Sequence, residues 1–280
     1  MTELRCRMIA DMRLRGLSPN TQRRYVDAIR ELAKHYRRPP DQLSQEDIRD
    51  YFIYLQDERS LSSGHIRVTL YALKFLYKRT PDRHWPVLDL IRIKPSKKLP
   101  VVLSPEEARC LLRRVRRPGA KMSLTMMYTC GLRISEALRL HCRDIDSRRM
   151  LVCVRNGKGA KDRYVPLPQR TLERLRIYWC QVRPKTWLFP TTDGLTPIHK
   201  GTIRQCLAAA LAQTDIHKHV TCQTLRHSYA THLMEQGIEL RAIQALLGHR
   251  SPKATFIYMH LTQSTMQAVQ NKINDTMARL

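Results

Sequence analysis

The chain has 280 residues, room for two domains of about 100–200 residues with real cores. Lysine and arginine outnumber aspartate and glutamate by 50 to 24, and the net charge of +26 divides into +9 over residues 1–100 and +17 over residues 101–280. A single basic tail is thereby excluded and a polyanion is expected against both halves, the alternative being a solvated basic surface or a ribosome- or membrane-associated protein; no run approaches the ~20 apolar residues of a membrane span.

Residues 1–90 read as helical. Ser18-Pro19 supplies an N-cap and a proline at the first helical position, and Tyr25, Ile29, Leu32 and Tyr36 repeat at helical spacing until Pro39-Pro40. Ser44, with Asp47 three residues on, opens a helix with Ile48, Phe52 and Leu55 on one face. Ser62-Ser63 opens another, with Ile66, Leu70, Leu73 and Tyr77. Such stripes describe the core of a small helical bundle. Residues 91–102 hold two prolines and Arg92, Lys94, Lys97 and Lys98, an extended linker that reads equally as a strap along a phosphate backbone or as an ordinary hinge. Ser104-Pro105-Glu106-Glu107 is a capping box for a helix to about Val115. Helical periodicity over 122–140 is interrupted at Gly131, and residues 150–154 and 163–167 form a β-hairpin around Gly157 and Gly159. Helices are expected at about 171–182, 201–213, 223–236 and 239–247, the last two ended by Gly237 and Gly248, and a final amphipathic helix at 262–279.

The eight cysteines contain no Cys-x-x-Cys pair, which points to reduced thiols in a cytoplasmic protein, and His217, His219 and Cys222 lack a fourth metal ligand. The N-terminus, with Arg5, Arg7 and Asp11, does not read as a signal peptide.

Five residues stand in the settings of a metal-free phosphoryl-transfer site: Arg133, Lys158, Arg226, His249 and Tyr258. Cutting a phosphodiester without a metal needs a nucleophile, cations for the non-bridging oxygens and an acid for the leaving oxygen. Arginine suits the second task because its planar fork binds phosphate and stays charged. Alone, Arg133 or Arg226 reads as a surface charge or DNA-backbone contact. Gly131, however, allows a tight bend before Arg133, and Arg226 lies in an apolar helix where a stray charge is costly. Lys158, between two glycines, is either a solvated turn lysine or a mobile general acid, with Lys161 and Arg163 as phosphate contacts in the second case. His249 follows Gly248 at a helix end and alone reads as a partner of the helix dipole; Tyr258 alone reads as a packing tyrosine, but its phenol can also attack phosphorus and later leave, conserving the bond energy.

Taken together, Thr-Cys-Gly-Leu-Arg-Ile-Ser-Glu (129–136), Gln-Thr-Leu-Arg-His-Ser-Tyr-Ala-Thr-His-Leu (223–233) and Leu-Leu-Gly-His (246–249) followed by Tyr258 resemble the tyrosine recombinases of the phage-integrase family, over the whole chain. The resemblance implies a mainly α fold with a small β-hairpin or sheet, in two domains that form a C-shaped clamp on duplex DNA. These would be a helical core-binding domain (1–90), a linker (91–102) carrying DNA contacts at Lys94, Lys97 and Lys98, and a mixed α/β catalytic domain (103–261). A C-terminal helix (262–280) would dock on a neighbouring subunit. It further implies Arg133 and Arg226 as phosphate clamp, Lys158 as general acid, His249 as phosphate donor, Tyr258 as nucleophile and Glu136 as support for Arg133. No cofactor or metal is implied; the expected partners are double-stranded DNA and further copies of the chain in a dimer or tetramer. Gln223 departs from the pattern: the family places histidine there, and an amide can donate a hydrogen bond but not take a proton. A weakened or inactive recombinase-derived DNA-binding protein is therefore the alternative. A type IB topoisomerase shares the chemistry but fits the short helical N-terminal domain less well.

Overall fold

The computed structural model of the chain describes residues 2–79, 85–93, 99–155 and 162–248. Two compact units are present, Met1–Lys98 and Leu99–Leu280. In the first, α1 (Glu3–Leu14), α2 (Pro19–Tyr36), α3 (Gln45–Asp57), α4 (Ser63–Arg79) and the short α5 (Val87–Leu90) are all helical. Ser18 caps α2 by accepting from the Thr21 N–H at 3.3 Å. Ser44 and Asp47 close a reciprocal box on α3, with Ser44 N–H to Asp47 Oδ2 at 2.8 Å and Asp47 N–H to Ser44 Oγ at 3.1 Å. The second helix stops at Tyr36, ahead of the Pro39-Pro40 pair, because Arg37 turns left-handed (φ 50°). Leu32, Ile48, Phe52, Leu55, Ile66, Leu70, Leu73 and Tyr77 are buried, so the periodic positions are the core, joined by Met8 and Met12 of α1. Tyr77 stacks on Trp85 with centroids 4.0 Å apart and donates to the Pro40 carbonyl at 2.6 Å.

The second unit contains α6 (Pro105–Arg114), α7 (Pro118–Thr129), α8 (Ile134–Ala137), β1 (Ile145–Asp146), β2 (Leu151–Val154), β3 (Arg163–Pro166), α9 (Gln169–Val182), α10 (Lys200–Leu211), α11 (Cys222–Glu235) and α12 (Leu240–Leu247). The strands form one antiparallel sheet in the order β1-β2-β3, with Val152 opposite Val165 and both fully buried. The two-residue β1 adds an edge to the hairpin expected from sequence. Helix α7 is the centre of the unit, packed by α6, α9, α10 and α11. It begins at Pro118, earlier than periodicity indicated, because it is buried on nearly every side and so carries no apolar stripe. Its polar residues are satisfied locally: Ser123 Oγ donates to the Ala120 carbonyl at 3.0 Å and Thr125 Oγ1 to that of Lys121 at 2.8 Å.

The segment entering this unit is tied to α11. Leu103 N–H donates to Ser228 Oγ at 2.9 Å, and the Leu103 carbonyl accepts from His232 Nε2 at 3.0 Å. A carbonyl only accepts, so His232 carries its proton on Nε2, and Nδ1 accepts from the Tyr128 hydroxyl at 3.1 Å. All eight cysteines are free thiols, Cys130 and Cys222 buried. Among the described residues no helix is long and apolar enough to cross a membrane.

Candidate active site

Helix α7 ends at Thr129, and Gly131 turns the chain with φ 62°. A Cβ on Gly131 would lie 2.5 Å from Cδ1 and Cε1 of Tyr229, so the bend needs glycine both for its dihedral and for the ring packed on it. The bend presents Arg133 as the residue capping α8, and three residues on, Glu136 Oε2 accepts the Arg133 N–H at 2.8 Å. A four-residue helix exists here to place one carboxylate.

That carboxylate gathers three arginines. Arg133 Nη1 donates to Oε1 at 2.6 Å. Arg163, the first residue of β3, binds in a fork, Nη1 to Oε1 at 3.1 Å and Nη2 to Oε2 at 2.8 Å. Arg226 of α11 adds a longer contact, Nη1 to Oε2 at 3.4 Å. Side-chain exposure grades from 22% at Arg133 through 11% at Arg163 to 0% at Arg226, with Glu136 at 6%. Burial alone pushes the Glu136 carboxyl up, but the Arg163 fork, the Arg133 N–H and the remaining positive charge outweigh it and bring it down to about 2. Within the cluster, one carboxylate faces three guanidiniums, an excess of positive charge suited to an anion.

The rest of the donors go to one helix end. Arg163 Nε donates to the Leu246 carbonyl at 2.8 Å, Arg226 Nη2 to that of Leu247 at 2.5 Å, and Arg133 Nη2 to that of Gly248 at 3.5 Å. The last carbonyls of a helix lack intrahelical partners and carry its negative dipole end, so these three successive oxygens suit three cations. Gly248 closes α12 in the left-handed conformation (φ 61°). Arg226 Nη1 also donates to the Gly131 carbonyl at 2.8 Å, joining the bend before Arg133 to α11. This buried arginine is thus held by backbone as much as by charge.

Gln223 lies exposed in the first turn of α11, one turn before Arg226. His227 is partly buried, and burial, then the Arg226 charge, pushes its imidazole down to about 4, which keeps it neutral at neutral pH. His219 precedes α11. Of the expected site residues, the structure therefore brings together Arg133, Arg226, Glu136 and Arg163 and sets Gln223 on the same helix as Arg226. Lys158, His249 and Tyr258, and the expected DNA contacts Lys94, Lys97, Lys98 and Lys161, lie outside the described residues, as does the helix expected at 262–279.

Sequence reasoning missed the fork between Arg163 and Glu136 and the run of carbonyls at Leu246–Gly248. A signal for the first was present: Val165 is buried while Tyr164 and Pro166 are exposed, so alternation puts Arg163 on the inward face. A charge there requires a partner.

Comparison with known proteins places the chain in a family. Residues 101–265 match the model of the phage integrase family, and residues 4–87 match the phage integrase N-terminal SAM-like domain. A Sinorhizobium fredii protein, provisionally named an integrase/recombinase, y4qK, is 42% identical over 272 residues, covering 97% of this chain and 88% of its own. The tyrosine recombinase XerA of Thermococcus kodakarensis is 31% identical over 92% of this chain and 91% of its own. The structure of a lambda integrase dimer bound to a core site superposes with a TM-score of 0.75 at 17% identity, over 92% of this chain and 94% of that one, a likeness of fold. The chain belongs to the phage integrase family of tyrosine recombinases.

Proposed function

We propose that the chain is a site-specific DNA recombinase that cleaves and rejoins strands through a 3′-phosphotyrosine. Arg133 and Arg226 bind the non-bridging oxygens of the scissile phosphate. The Tyr258 phenol attacks phosphorus and loses its proton to water, since the Gln223 amide cannot take it; the bond to the 5′ oxygen breaks, and Lys158 gives that oxygen its proton. His249 donates a hydrogen bond to the phosphate, as does the Gln223 amide. Bond energy is conserved in the phosphotyrosine, so a 5′ hydroxyl from a partner strand reverses the step without a nucleotide. In this reading residues 1–90 and 103–261 are the core-binding and catalytic domains, and the basic linker 91–102, with Lys94, Lys97 and Lys98, follows the DNA backbone. The helix at 262–280 docks on a neighbouring copy within a dimer or tetramer, because exchange requires two duplexes. The setting is the cytoplasm, on nucleoid DNA, in a mobile element.

The observation that carries the reading is the convergence of Arg133 and Arg226, 93 residues apart, on one buried carboxylate, Glu136. Arginines placed to bind DNA at the surface would not need a shared buried anchor. The test is covalent trapping on a nicked duplex that the chain itself has selected from random-sequence DNA. An adduct that disappears with Tyr258→Phe is expected. Tight binding with no adduct contradicts the enzyme and leaves a recombinase-derived DNA-binding protein, the reading that Gln223 favours. Gln223→His should leave binding unchanged and speed trapping; slower trapping makes the glutamine an adapted part of the site.

A further inference from the structure

We propose that Arg163 is a positioning residue, fixing Glu136 and the end of α12 in the one arrangement that lets Arg133 and Arg226 converge. The inference rests on the recombinase reading above and replaces the sequence expectation that Arg163 touches DNA phosphate. A guanidinium that binds phosphate in a fork cannot spend the same fork on a carboxylate. Here both terminal nitrogens of Arg163 are forked onto Glu136 and Nε donates to the Leu246 carbonyl, whereas Arg226 and Arg133 form no such fork on Glu136.

The fork determines what Glu136 can do. With Oε1 and Oε2 each fixed by one Arg163 nitrogen, Oε1 is aimed at Arg133 and Oε2 at Arg226 and the Arg133 N–H. A carboxylate free to rotate would satisfy Arg133 alone, its near neighbour in sequence. Arg163 also reaches the other side of the cluster, because Leu246 is the first of the three successive carbonyls that hold Arg163, Arg226 and Arg133. A second observation agrees. A Cβ on Gly248 would sit 3.1 Å from Arg163 Nη1, 3.2 Å from Cδ and 3.3 Å from Cζ, so the helix end is packed directly on this arginine. In sequence, Gly248 precedes His249 and Arg163 follows the hairpin segment carrying Lys158. One side chain therefore ties the start of β3 and the end of α12 to the arginine pair.

The experiment compares wild type, Arg163→Met and Arg163→Lys on the nicked duplex selected from random-sequence DNA. Misplacement of a reacting group by about 1 Å costs about 10²-fold. Arg163→Met should slow single-turnover adduct formation at saturating DNA by about that factor. Arg163→Lys, whose single ammonium cannot form the fork, should lose about 10-fold or more. Affinity and the slope of log K against log salt should stay at wild-type values. The acid limb of the pH–rate profile should move to higher pH, because Glu136 loses its main partner, a change that general loss of stability does not produce. A slope shallower by about one, with the saturated rate unchanged, is the signature of a phosphate contact and overturns the proposal. If Arg163→Met does not fold, Arg163→Lys decides by the same readouts. If wild type forms no adduct, the recombinase reading fails, and the salt slope alone decides whether Arg163 faces phosphate or protein.

Discussion

In the N-terminal unit, Asp89 accepts from Lys74 at 3.0 Å and from Lys78 at 2.8 Å; in the C-terminal unit, Glu136 accepts from Arg133, Arg163 and Arg226. Both carboxyls come down to about 2, Asp89 through hydrogen bonds from Lys78 and then Lys74, Glu136 through arginine against the opposing effect of burial. The resemblance ends there. Asp89 is 49% exposed and its lysines are mobile point charges, so water and salt screen the group. Glu136 is 6% exposed, and its partners are planar forks whose other donors are taken by backbone. An exposed cluster tolerates loss of a member, whereas a buried one leaves uncompensated charge behind.

The largest expected effect follows directly. Glu136→Ala strands three guanidiniums, one of them fully buried, and should destabilise the C-terminal unit by about 3–5 kcal/mol, read by denaturant unfolding. A loss no larger than that of Asp89→Asn would put the cluster in the same class as Asp89. Next is Gly131→Ala, which forces a left-handed residue and a clash with Tyr229, and should cost about 2 kcal/mol while displacing the Arg226 acceptor.

The pH dependence separates two groups. Folded His227 titrates near 4 against 6.5 when free, so between those values the unfolded chain binds more protons and stability falls as pH drops from 6.5 toward 4. For Glu136, the depressed carboxyl contributes stability that is present above 4.5 and lost as pH falls toward about 2. His227→Gln should remove the upper fall and leave the lower, measured by unfolding midpoints across pH. Smallest of all, Asp89→Asn should leave the unfolding midpoint at high salt unchanged; a large shift there would erase the contrast between the two carboxylates.

The same contrast explains what the sequence could reveal. Helices α2 and α3 were legible because each has one apolar face and a side-chain cap, Ser18 and Ser44. The start of α7 was not, because burial on nearly every side erases periodicity. In the site, Arg133 and Arg226 stood out through a neighbouring glycine and an apolar helix. Arg163 did not, because its partner Glu136 lies 27 residues away and its other acceptor, at Leu246, 83 residues away. Backbone carbonyls such as those of Leu246, Leu247 and Gly248 leave no mark on side-chain identity. The set of charges was readable, and the way they are shared was not.

Arg133 and Arg226, converging on Glu136, are proposed as the phosphate-binding part of a DNA-joining site. The most direct test is the single-turnover rate of covalent adduct formation by Arg226→Lys on the selected nicked duplex, with binding measured in parallel. A lysine keeps the charge but cannot serve Gly131, Leu247, Glu136 and phosphate together, so the rate should fall by about 10²-fold or more with affinity nearly unchanged. An adduct formed at the wild-type rate would contradict the account.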